Sequence, residues 1–142
     1  MIINLIGQPG AGKTSIAKVL LGTPMRVINV DGDELRNLFA NKDYSEAGRR
    51  ANIQNAYNIA IFLESQGFLP VISLISPYKD LRESLKAKTK VLEFYLKTSN
   101  IRGREDFFAP NFEEPETDFI TLDTTDQYAE TMASVIVKII HQ

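Results

Sequence analysis

A glycine-rich segment near the start of the chain constrains its fold more than any other feature. Residues 7–14 read Gly-Gln-Pro-Gly-Ala-Gly-Lys-Thr, which satisfies the pattern G-x-x-x-x-G-K-[ST]. An apolar run at residues 2–6 precedes this segment, and a helical pattern begins at Lys13. Glycines at these positions let backbone N–H groups converge at the start of a helix, where they favour a bound anion. The segment therefore predicts a strand, a phosphate-binding loop and a helix in direct succession.

Short β-rich runs alternate with helical patterns over the whole chain, as is typical of βαβ units around a parallel sheet. The predicted strands are residues 2–6, 26–30, 69–74, 91–96 and 119–122. Helices are predicted at residues 13–21, 45–66 and about 128–139, and Gly22 and Gly67 suit the C′ positions of the first two. The sequence therefore predicts an α/β, P-loop kinase fold, with a five-stranded parallel sheet sandwiched between helices in one domain that spans all 142 residues.

The composition limits the classes of function. A net charge of −2 and an isoelectric point near 5.4 argue against a broad basic surface for nucleic acid. The chain has no cysteine, hence no disulfide or thiolate chemistry, and its single histidine is His141, one residue from the end. The sequence contains neither a signal-peptide pattern nor an apolar run of the roughly 20 residues needed to span a bilayer. We therefore expect a cytoplasmic protein that binds neither nucleic acid nor membranes.

The glycine-rich loop predicts ATP as the bound nucleotide and Mg²⁺ as its metal ion. Lys13 would place a cation near the β and γ phosphates, and the Thr14 hydroxyl would bind Mg²⁺. The residues expected to bind ATP are Gly7, Gln8, Pro9, Gly10, Ala11, Gly12, Lys13, Thr14 and Ser15.

An acidic segment, Asp31-Gly32-Asp33-Glu34-Leu35-Arg36, follows the second predicted strand. Ligands bind beyond the carboxyl ends of the strands in open α/β sheets, so this segment is placed to reach them. Asp33 is the preferred candidate for ordering the metal or accepting a proton from a substrate hydroxyl, and Lys13 and Asp31 complete the catalytic candidates. The alternative is structural: an N-cap aspartate followed by a solvated helix face.

Two further segments carry polar groups near the predicted site. Arg49 and Asn52 are three residues apart near the start of the long helix, so they share a face that could hold a phosphosulfate, ribose or base. A solvated first turn is the alternative. After the third strand, Ser76 is interpreted as an N-cap with Pro77 at the first helical position, which is compatible with a substrate contact. The lysines that follow are expected to form a solvated helix end rather than a binding patch: Lys86, Lys88 and Lys90.

Taken in this order, the segments resemble the adenylylsulfate kinase family, which uses ATP to phosphorylate the ribose 3′-hydroxyl of adenylyl sulfate. The family pattern has a P-loop, then Asp-Gly-Asp-Asn with a following Arg, then Phe-Ser with Arg and Asn downstream, then Ile-Ser-Pro. The matching residues, at the family spacings, are Asp31, Asp33, Arg36, Tyr44, Ser45, Arg49, Asn52, Ile75, Ser76 and Pro77. The likeness resumes at residues 111–115 and 122–124, which are similar to the family's Tyr-Glu-x-Pro and Leu-Asp-Thr elements.

The resemblance implies a substrate, a metal site and an assembly. Adenylyl sulfate would be the small-molecule substrate, Mg-ATP the phosphate donor, and a homodimer a possible assembly. Thr14 and Asp33 would hold the metal, and Tyr44 would stack on the adenine in place of the family Phe. The residues implied to bind adenylyl sulfate are Asp33, Arg36, Tyr44, Arg49, Asn52, Ile75, Ser76 and Phe107.

The chain departs from the family pattern at several places. Glu34 stands where the family has Asn, and Gly48 stands where it has Asp. The predicted lid, residues 99–117, is shorter than the family's and lacks its Cys-Glu-x-Arg-Asp segment. The residues left to supply the lid's cations and its phenylalanine are Arg102, Arg104, Phe107 and Phe108.

Two other functions remain open at this point. A P-loop kinase could act on another small hydroxyl-bearing metabolite, and the altered lid favours that alternative. The second is a nucleotide-binding module without catalysis, which the presence of Lys13, Thr14 and Asp33 disfavours. A GTPase is disfavoured further, because Asn41-Lys42-Asp43 places its aspartate one position early for the guanine-reading motif Asn-Lys-x-Asp.

Overall fold

Strands and helices alternate along the residues that the structure, a computed structural model, describes: 1–100 and 109–142. The strands of this part of the chain are β1 (Ile2–Ile6), β2 (Val27–Asp31), β3 (Leu69–Ser73), β4 (Val91–Lys97) and β5 (Ile120–Asp123). Its helices are α1 (Lys13–Leu21), α2 (Gly32–Leu38), α3 (Glu46–Ser65), α4 (Lys79–Lys88) and α5 (Ala129–Ile140). No helix within these described ranges is long and apolar enough to cross a membrane.

The strands pair in parallel in the order β2-β3-β1-β4-β5, which confirms the predicted five-stranded parallel sheet. β1 lies at the centre, where Leu5 is aligned with Ser73 of β3 on one side and with Phe94 of β4 on the other. Every residue of β1 is buried. A strand that is covered on both faces is predominantly apolar along its whole length, which is the pattern seen at residues 2–6.

Helices cover both faces of the sheet, as predicted. Because successive side chains of a strand point to opposite faces, Ile3 and Leu5 pack toward α1 and α5, whereas Ile2 packs toward α3 and α4. Partners of Ile3 and Leu5 in the first core include Ile16, Leu20, Phe94 and Ile136. Partners of Ile2 in the second core include Ile53, Tyr57, Ile72 and Leu85.

The predicted element boundaries are close to the observed ones. β2 and β5 each begin one residue later than predicted, and α3 lies between its caps Ser45 and Gln66. Gly67 has the positive φ, 88°, that the C′ prediction requires. The same prediction for Gly22 is wrong, because Gly22 is the C-cap of α1 with φ −79°, a conformation open to any residue.

The predicted start of the helix after β3 is wrong. α4 begins at Lys79 with Tyr78 as its N-cap, so Ser76 is not an N-cap and Pro77 is not the first helical residue. The Oε1 atom of Glu113 accepts a hydrogen bond from the backbone N–H of Lys79 at 2.7 Å. A carboxylate that is distant in the sequence therefore caps α4, and no local pattern signals such a contact.

The prediction of a solvated helix end is wrong for Lys86. Its side chain is 11% exposed, and its Nζ lies 2.8 Å from Oε2 of the buried Glu93. Lys88 and Lys90 are exposed, as predicted. Lys86 points inward because β4 buries a carboxylate, and a buried charge needs a partner of opposite sign.

The second part of the predicted lid packs against α4 and β4. The N–H of Glu113 donates to the Pro77 carbonyl at 2.9 Å. The Phe112 ring stacks on Tyr95, with ring centres 5.6 Å apart. The structure thus anchors this part of the predicted lid beside the β3–α4 loop. The lid residues that lie outside the described ranges include Arg102, Arg104, Phe107 and Phe108.

We expect Ile72→Ala to destabilise the fold by about 2–5 kcal/mol. Ile72 is fully buried in β3 and belongs to the core shared with α3, so truncation leaves a cavity. Ile120→Ala is the control: it lies on the edge strand β5, is 36% exposed and should cost about 1 kcal/mol or less. Urea denaturation measures both losses, and equal values would contradict the assignment of Ile72 to the core.

Candidate active site

A cavity of about 770 Å³ opens at the carboxyl ends of β1, β2 and β3. α1 follows β1 on one face of the sheet and α4 follows β3 on the other, so the cavity lies at the topological switch point. Ligand sites of open α/β sheets form at this point. Most of the residues predicted to bind ATP, metal or substrate line this cavity: Pro9, Gly10, Gly12, Lys13, Thr14, Ser15, Asp31, Asp33, Arg36, Tyr44, Arg49, Asn52, Ile75 and Ser76.

Glycines give the β1–α1 loop its shape. Gly7, Gly10 and Gly12 have φ values of 146°, 86° and 100°, which other residues rarely adopt. A Cβ on Gly7 would lie 2.5 Å from the Leu96 carbonyl oxygen, so the loop passes directly over β4. Gly12 is the N-cap of α1, which places the N–H groups of that helix terminus at the cavity.

Lys13 lies against the loop backbone. Its Nζ donates hydrogen bonds to the carbonyls of Gly7 at 2.8 Å and of Gln8 at 3.0 Å. The side chain lines the cavity, although the residue is only 8% exposed. The ammonium group is thus held beside the loop, where it adds positive charge for a bound phosphate.

Contacts from distant segments also hold the loop. The Thr124 hydroxyl donates to the Ala11 carbonyl at 2.8 Å. Gln8 exchanges two hydrogen bonds with the backbone of Ala109, at 3.1 and 2.9 Å. Thr124 belongs to the Leu-Asp-Thr element that the sequence shows, whereas the contact with Ala109 has no sequence signal. The predicted ATP-binding residues that do not line the cavity are Gly7, Gln8 and Ala11.

The two candidate aspartates have different environments. Asp31 is the N-cap of α2: its Oδ2 accepts from the Glu34 N–H at 3.1 Å, and its Oδ1 accepts from the Ser73 hydroxyl at 3.4 Å. Asp33 lies in the first turn of α2, with an exposed side chain at the cavity. The alternative role as a helix N-cap therefore applies to Asp31. The Asp33 carboxylate instead faces the space where a ligand would bind.

Arg36 and Tyr44 form one wall of the cavity. The guanidinium carbon of Arg36 lies 4.2 Å from the centre of the Tyr44 ring, a cation–π contact. Its Nη1 also donates to the carbonyls of Asn41 at 3.3 Å and of Asp43 at 3.0 Å. Tyr44 is 66% exposed. One face of the ring therefore meets Arg36, while most of the residue remains open to a ligand.

Gly48 lets the loop between α2 and α3 pack closely on α3. A Cβ at this position would lie 2.1 Å from the Asp43 carbonyl oxygen. The Asp43 carboxylate accepts from the Ser45 N–H at 2.9 Å, and the hydrogen bonds with Ser45 lower the pKa of Asp43. This close approach accounts for the glycine at a position where the family pattern has Asp.

Asn52 brings an unpaired acceptor to the cavity. The residue is 4% exposed and its Nδ2 donates to the Gly32 carbonyl at 3.3 Å, but its Oδ1 finds no donor among the described residues. Leaving a buried acceptor unsatisfied costs about 1–3 kcal/mol, so this atom favours a ligand that carries a donor group. Arg49, which precedes Asn52 on α3, lines the same cavity.

The β3–α4 loop forms another wall. The Ile75 carbonyl accepts from the Gly7 N–H at 3.3 Å, which joins this loop to the phosphate-binding loop. Ser76 is 1% exposed and has φ 53°, an uncommon conformation for a residue other than glycine. Arg82 Nη1 donates to the Ser76 carbonyl at 2.6 Å. Sequence reasoning missed Arg82, because an arginine on an amphipathic helix is ordinarily exposed.

The cavity offers oxygen ligands suited to Mg²⁺. Thr14 contributes a hydroxyl and Asp33 an exposed carboxylate, and both line the cavity. Among residues 1–100 and 109–142, no cluster of three or more His, Cys, Asp or Glu side chains is placed to hold a metal by itself. Mg²⁺ commonly binds one or two protein groups together with substrate phosphates and water, and these two residues fit that pattern.

Comparison with known proteins identifies the family. The sequence model of the family described as adenylylsulphate kinase matches residues 1–105. The chain belongs to the adenylylsulfate kinase family. This confirms the resemblance drawn from the motifs of the sequence.

Two adenylylsulfate kinase relatives show how far the match extends. The adenylyl-sulfate kinase of Burkholderia ambifaria is 35% identical over 92 residues, which are 61% of this chain and 51% of the relative. The match therefore covers about half the length of that relative. The adenylyl-sulfate kinase of Bacillus licheniformis is 30% identical across 87% of this chain and 76% of the relative.

A solved adenylylsulfate kinase structure shares the fold. The APS kinase of Mycobacterium tuberculosis in complex with AMPPNP and APS superposes with a TM-score of 0.84, over 99% of this chain and 97% of that chain. The sequence identity is 20%, so this likeness speaks for the fold alone.

We expect Gly7→Ala to weaken both folding and ATP binding. The new Cβ would lie 2.5 Å from the Leu96 carbonyl oxygen, and φ 146° is unfavourable for alanine. The free energy of unfolding should fall by about 1–3 kcal/mol, and the dissociation constant for ATP should rise roughly tenfold or more.

Gly22→Ala is the control for this substitution. Gly22 has φ −79°, and the nearest atom to a new Cβ, the Val19 carbonyl oxygen, is 3.4 Å away. Thermal unfolding and calorimetric titration with ATP measure the two effects. Equal behaviour of the two variants would contradict the close approach at Gly7.

Proposed function

We propose that this member of the adenylylsulfate kinase family transfers the γ-phosphoryl group of Mg-ATP to the ribose 3′-hydroxyl of adenylyl sulfate, forming 3′-phosphoadenylyl sulfate and ADP. The observation that carries this proposal is a shared space: the phosphate-binding loop and the residues of the family's substrate motifs line one cavity. Two molecules that react in line need such a space. The Bacillus licheniformis relative, 30% identical over 76% of its own length, is an adenylyl-sulfate kinase, which supports the same pair of substrates here.

The loop side of the cavity would hold the phosphate donor. Backbone N–H groups at the start of α1 and the ammonium group of Lys13 would bind the phosphate oxygens. Thr14 and Asp33 would hold Mg²⁺ together with those oxygens. The metal would neutralise the charge that develops on the transferred group.

Asp33 would orient the acceptor hydroxyl and take its proton. The acceptor oxygen forms a bond to the γ phosphorus, the bond from that phosphorus to the β–γ bridging oxygen breaks, and ADP leaves with the electron pair. Asp33 suits this role because its side chain is exposed at the cavity. Asp31 instead would support the site by fixing the start of α2, since its carboxylate caps that helix.

The other side of the cavity would hold adenylyl sulfate. Arg36 and Arg49 supply positive charge for the phosphosulfate group. The Oδ1 of Asn52, which finds no donor among residues 1–100 and 109–142, would accept a hydrogen bond from a ribose hydroxyl or the adenine amino group. The Tyr44 ring would stack on the adenine, and Ile75 and Ser76 would complete the wall.

A cytoplasmic location and a homodimer belong to the same proposal. The location is a prediction from the sequence, and the homodimer is what the family resemblance implies. Cell fractionation tests the location, and sedimentation equilibrium tests the assembly.

We expect purified protein with Mg-ATP to form ADP when adenylyl sulfate is added. Lys13→Ala should lower kcat by a factor of about 10²–10³, because it removes the positive charge that would stabilise the transferred phosphoryl group. Asp33→Asn should lower kcat by about 10²–10⁴, the usual contribution of a positioned acid or base. Lys18→Ala, at an exposed position of α1, is the control and should retain activity.

The outcomes of this assay separate the candidate functions. If ADP forms with another small hydroxyl compound and not with adenylyl sulfate, that compound is the acceptor and the proposed substrate is wrong. ATP binding without transfer to any acceptor would indicate a nucleotide-binding module. An unimpaired Asp33→Asn variant would remove that aspartate from the mechanism.

Arg49→Ala should raise the KM for adenylyl sulfate roughly tenfold or more and leave the KM for ATP little changed, because it removes a cation from the acceptor side. Arg50→Ala is the matched control. The neighbouring Arg50 is ion-paired with Glu46 at 3.1 Å and with Asp80 at 2.9 Å, and it does not line the cavity. Steady-state kinetics with each substrate varied would show the difference, and equal effects would count against a contact between Arg49 and the acceptor.

A further inference from the structure

A buried guanidinium group lies behind the wall that would contact the acceptor. Arg82 of α4 is 1% exposed, and it donates hydrogen bonds to carbonyls of two separate segments. Nη1 donates to the Ser76 carbonyl at 2.6 Å, in the loop that lines the cavity. Nη2 donates to the Glu113 carbonyl, in the segment that packs against α4. One side chain therefore joins two stretches of backbone.

The Ser76 backbone needs this support. Its φ of 53° lies in the left-handed region, which costs a non-glycine residue conformational free energy. Such a conformation persists only where the surrounding contacts fix it. Two direct contacts hold the loop on either side of Ser76: the Ile75 carbonyl accepts from the Gly7 N–H at 3.3 Å, and the Pro77 carbonyl accepts from the Glu113 N–H at 2.9 Å. Arg82 holds the residue between them.

Buried charge fixes the guanidinium group itself. Nε of Arg82 lies 3.7 Å from Oε1 of Glu93, and Nζ of Lys86 lies 2.8 Å from Oε2 of the same carboxylate. Burial raises the pKa of Glu93, an effect that Lys86 and Arg82 oppose. The side chains of Arg82 and Glu93 are fully buried. Since a buried charge that loses its partner is strongly disfavoured, the group has little freedom to move.

We propose that Arg82 is a positioning residue for the acceptor: its planar fork of donors fixes the Ser76 backbone at the cavity wall and ties it to Glu113. This inference rests on the proposed function, because it assigns the wall formed by Ile75 and Ser76 to adenylyl sulfate. Arg82 is not among the described residues that line the cavity, so it would not contact either substrate. It acts by fixing the shape of the wall. A lysine cannot replace it, because an ammonium group lacks the planar set of N–H donors that lets one guanidinium group bind two carbonyls.

The test compares Arg82→Lys with Lys86→Met in the full chain. Arg82→Lys keeps a cation beside Glu93 but loses the fork, so we expect kcat/KM for adenylyl sulfate to fall roughly 10- to 100-fold, mainly through KM. The KM for ATP should stay within about twofold of the wild-type value. Lys86→Met also disturbs the buried charges, but Lys86 does not touch the cavity wall. It should lower the melting temperature and leave both KM values near those of the wild type.

Hydrogen exchange gives a readout that does not depend on activity. In Arg82→Lys, backbone amides of residues 74–76, 78–79 and 111–114 should exchange faster than in Lys86→Met. Those of α1, residues 13–21, should be unchanged. Equal exchange and equal KM values in the two variants would overturn the proposal and leave Arg82 a purely structural role. If the wild-type protein does not use adenylyl sulfate, the proposed function fails, and the exchange comparison still decides whether Arg82 holds the wall.

A second variant covers the case in which Arg82→Lys does not fold. Arg82→Gln combined with Glu93→Gln removes the two fully buried charges together, so neither of these two remains as an unpaired charge. Lys86 loses Glu93 but keeps Glu83 at 3.2 Å and the Thr117 carbonyl at 2.8 Å as partners. The combined variant should show the same rise in the KM for adenylyl sulfate. A normal KM in this variant would overturn the proposal.

Discussion

The passage of the β1–α1 loop over the ends of the neighbouring strands is the constraint on which the rest of the site depends. Gly7 comes so close to the Leu96 carbonyl of β4 that a Cβ would lie 2.5 Å from its oxygen, and its N–H donates to the Ile75 carbonyl beyond β3. β1 anchors this loop because its five residues are buried between two helical layers. Since parallel strands end at one edge, the same turn brings the start of α1, the start of α2 and the β3–α4 loop around one cavity.

The two sides of that cavity are held by different physical means. Glycine conformations shape the donor side, and the N–H groups of a helix terminus supply its partial positive charge. The acceptor side relies on buried polar groups: Asn52 donates to the Gly32 carbonyl, and Arg82 donates to the Ser76 carbonyl. Arg82 can lie there because Glu93 on β4 provides its counter-charge within the core. The buried ion pair of Arg82 and Glu93 thus stabilises the Ser76 backbone at the cavity wall.

Sequence reasoning succeeded where the signal is local and failed where a partner is distant. The apolar run of β1 and the glycine-rich segment after it predicted the loop correctly, and the helical patterns at residues 13–21 and 45–66 predicted α1 and α3. Ser76 was wrongly interpreted as an N-cap because the α4 cap comes from Glu113, more than thirty positions along the chain. Lys86 was expected to be solvated because its buried partner, Glu93, lies on another element.

The sequence by itself determined the fold class, the alternation of strands and helices, the phosphate-binding loop and the family, since each depends on residue type at short spacing. Only the tertiary structure separated Asp31, which caps α2, from Asp33, which is exposed at the cavity. Only the tertiary structure explained Gly48, through the contact of Asp43 with α3, and revealed Arg82 behind the cavity wall. The physical reason is that hydrogen bonds and charge pairs depend on the distance between two groups in space. Folding sets that distance, and the positions of the two groups along the chain do not reveal it.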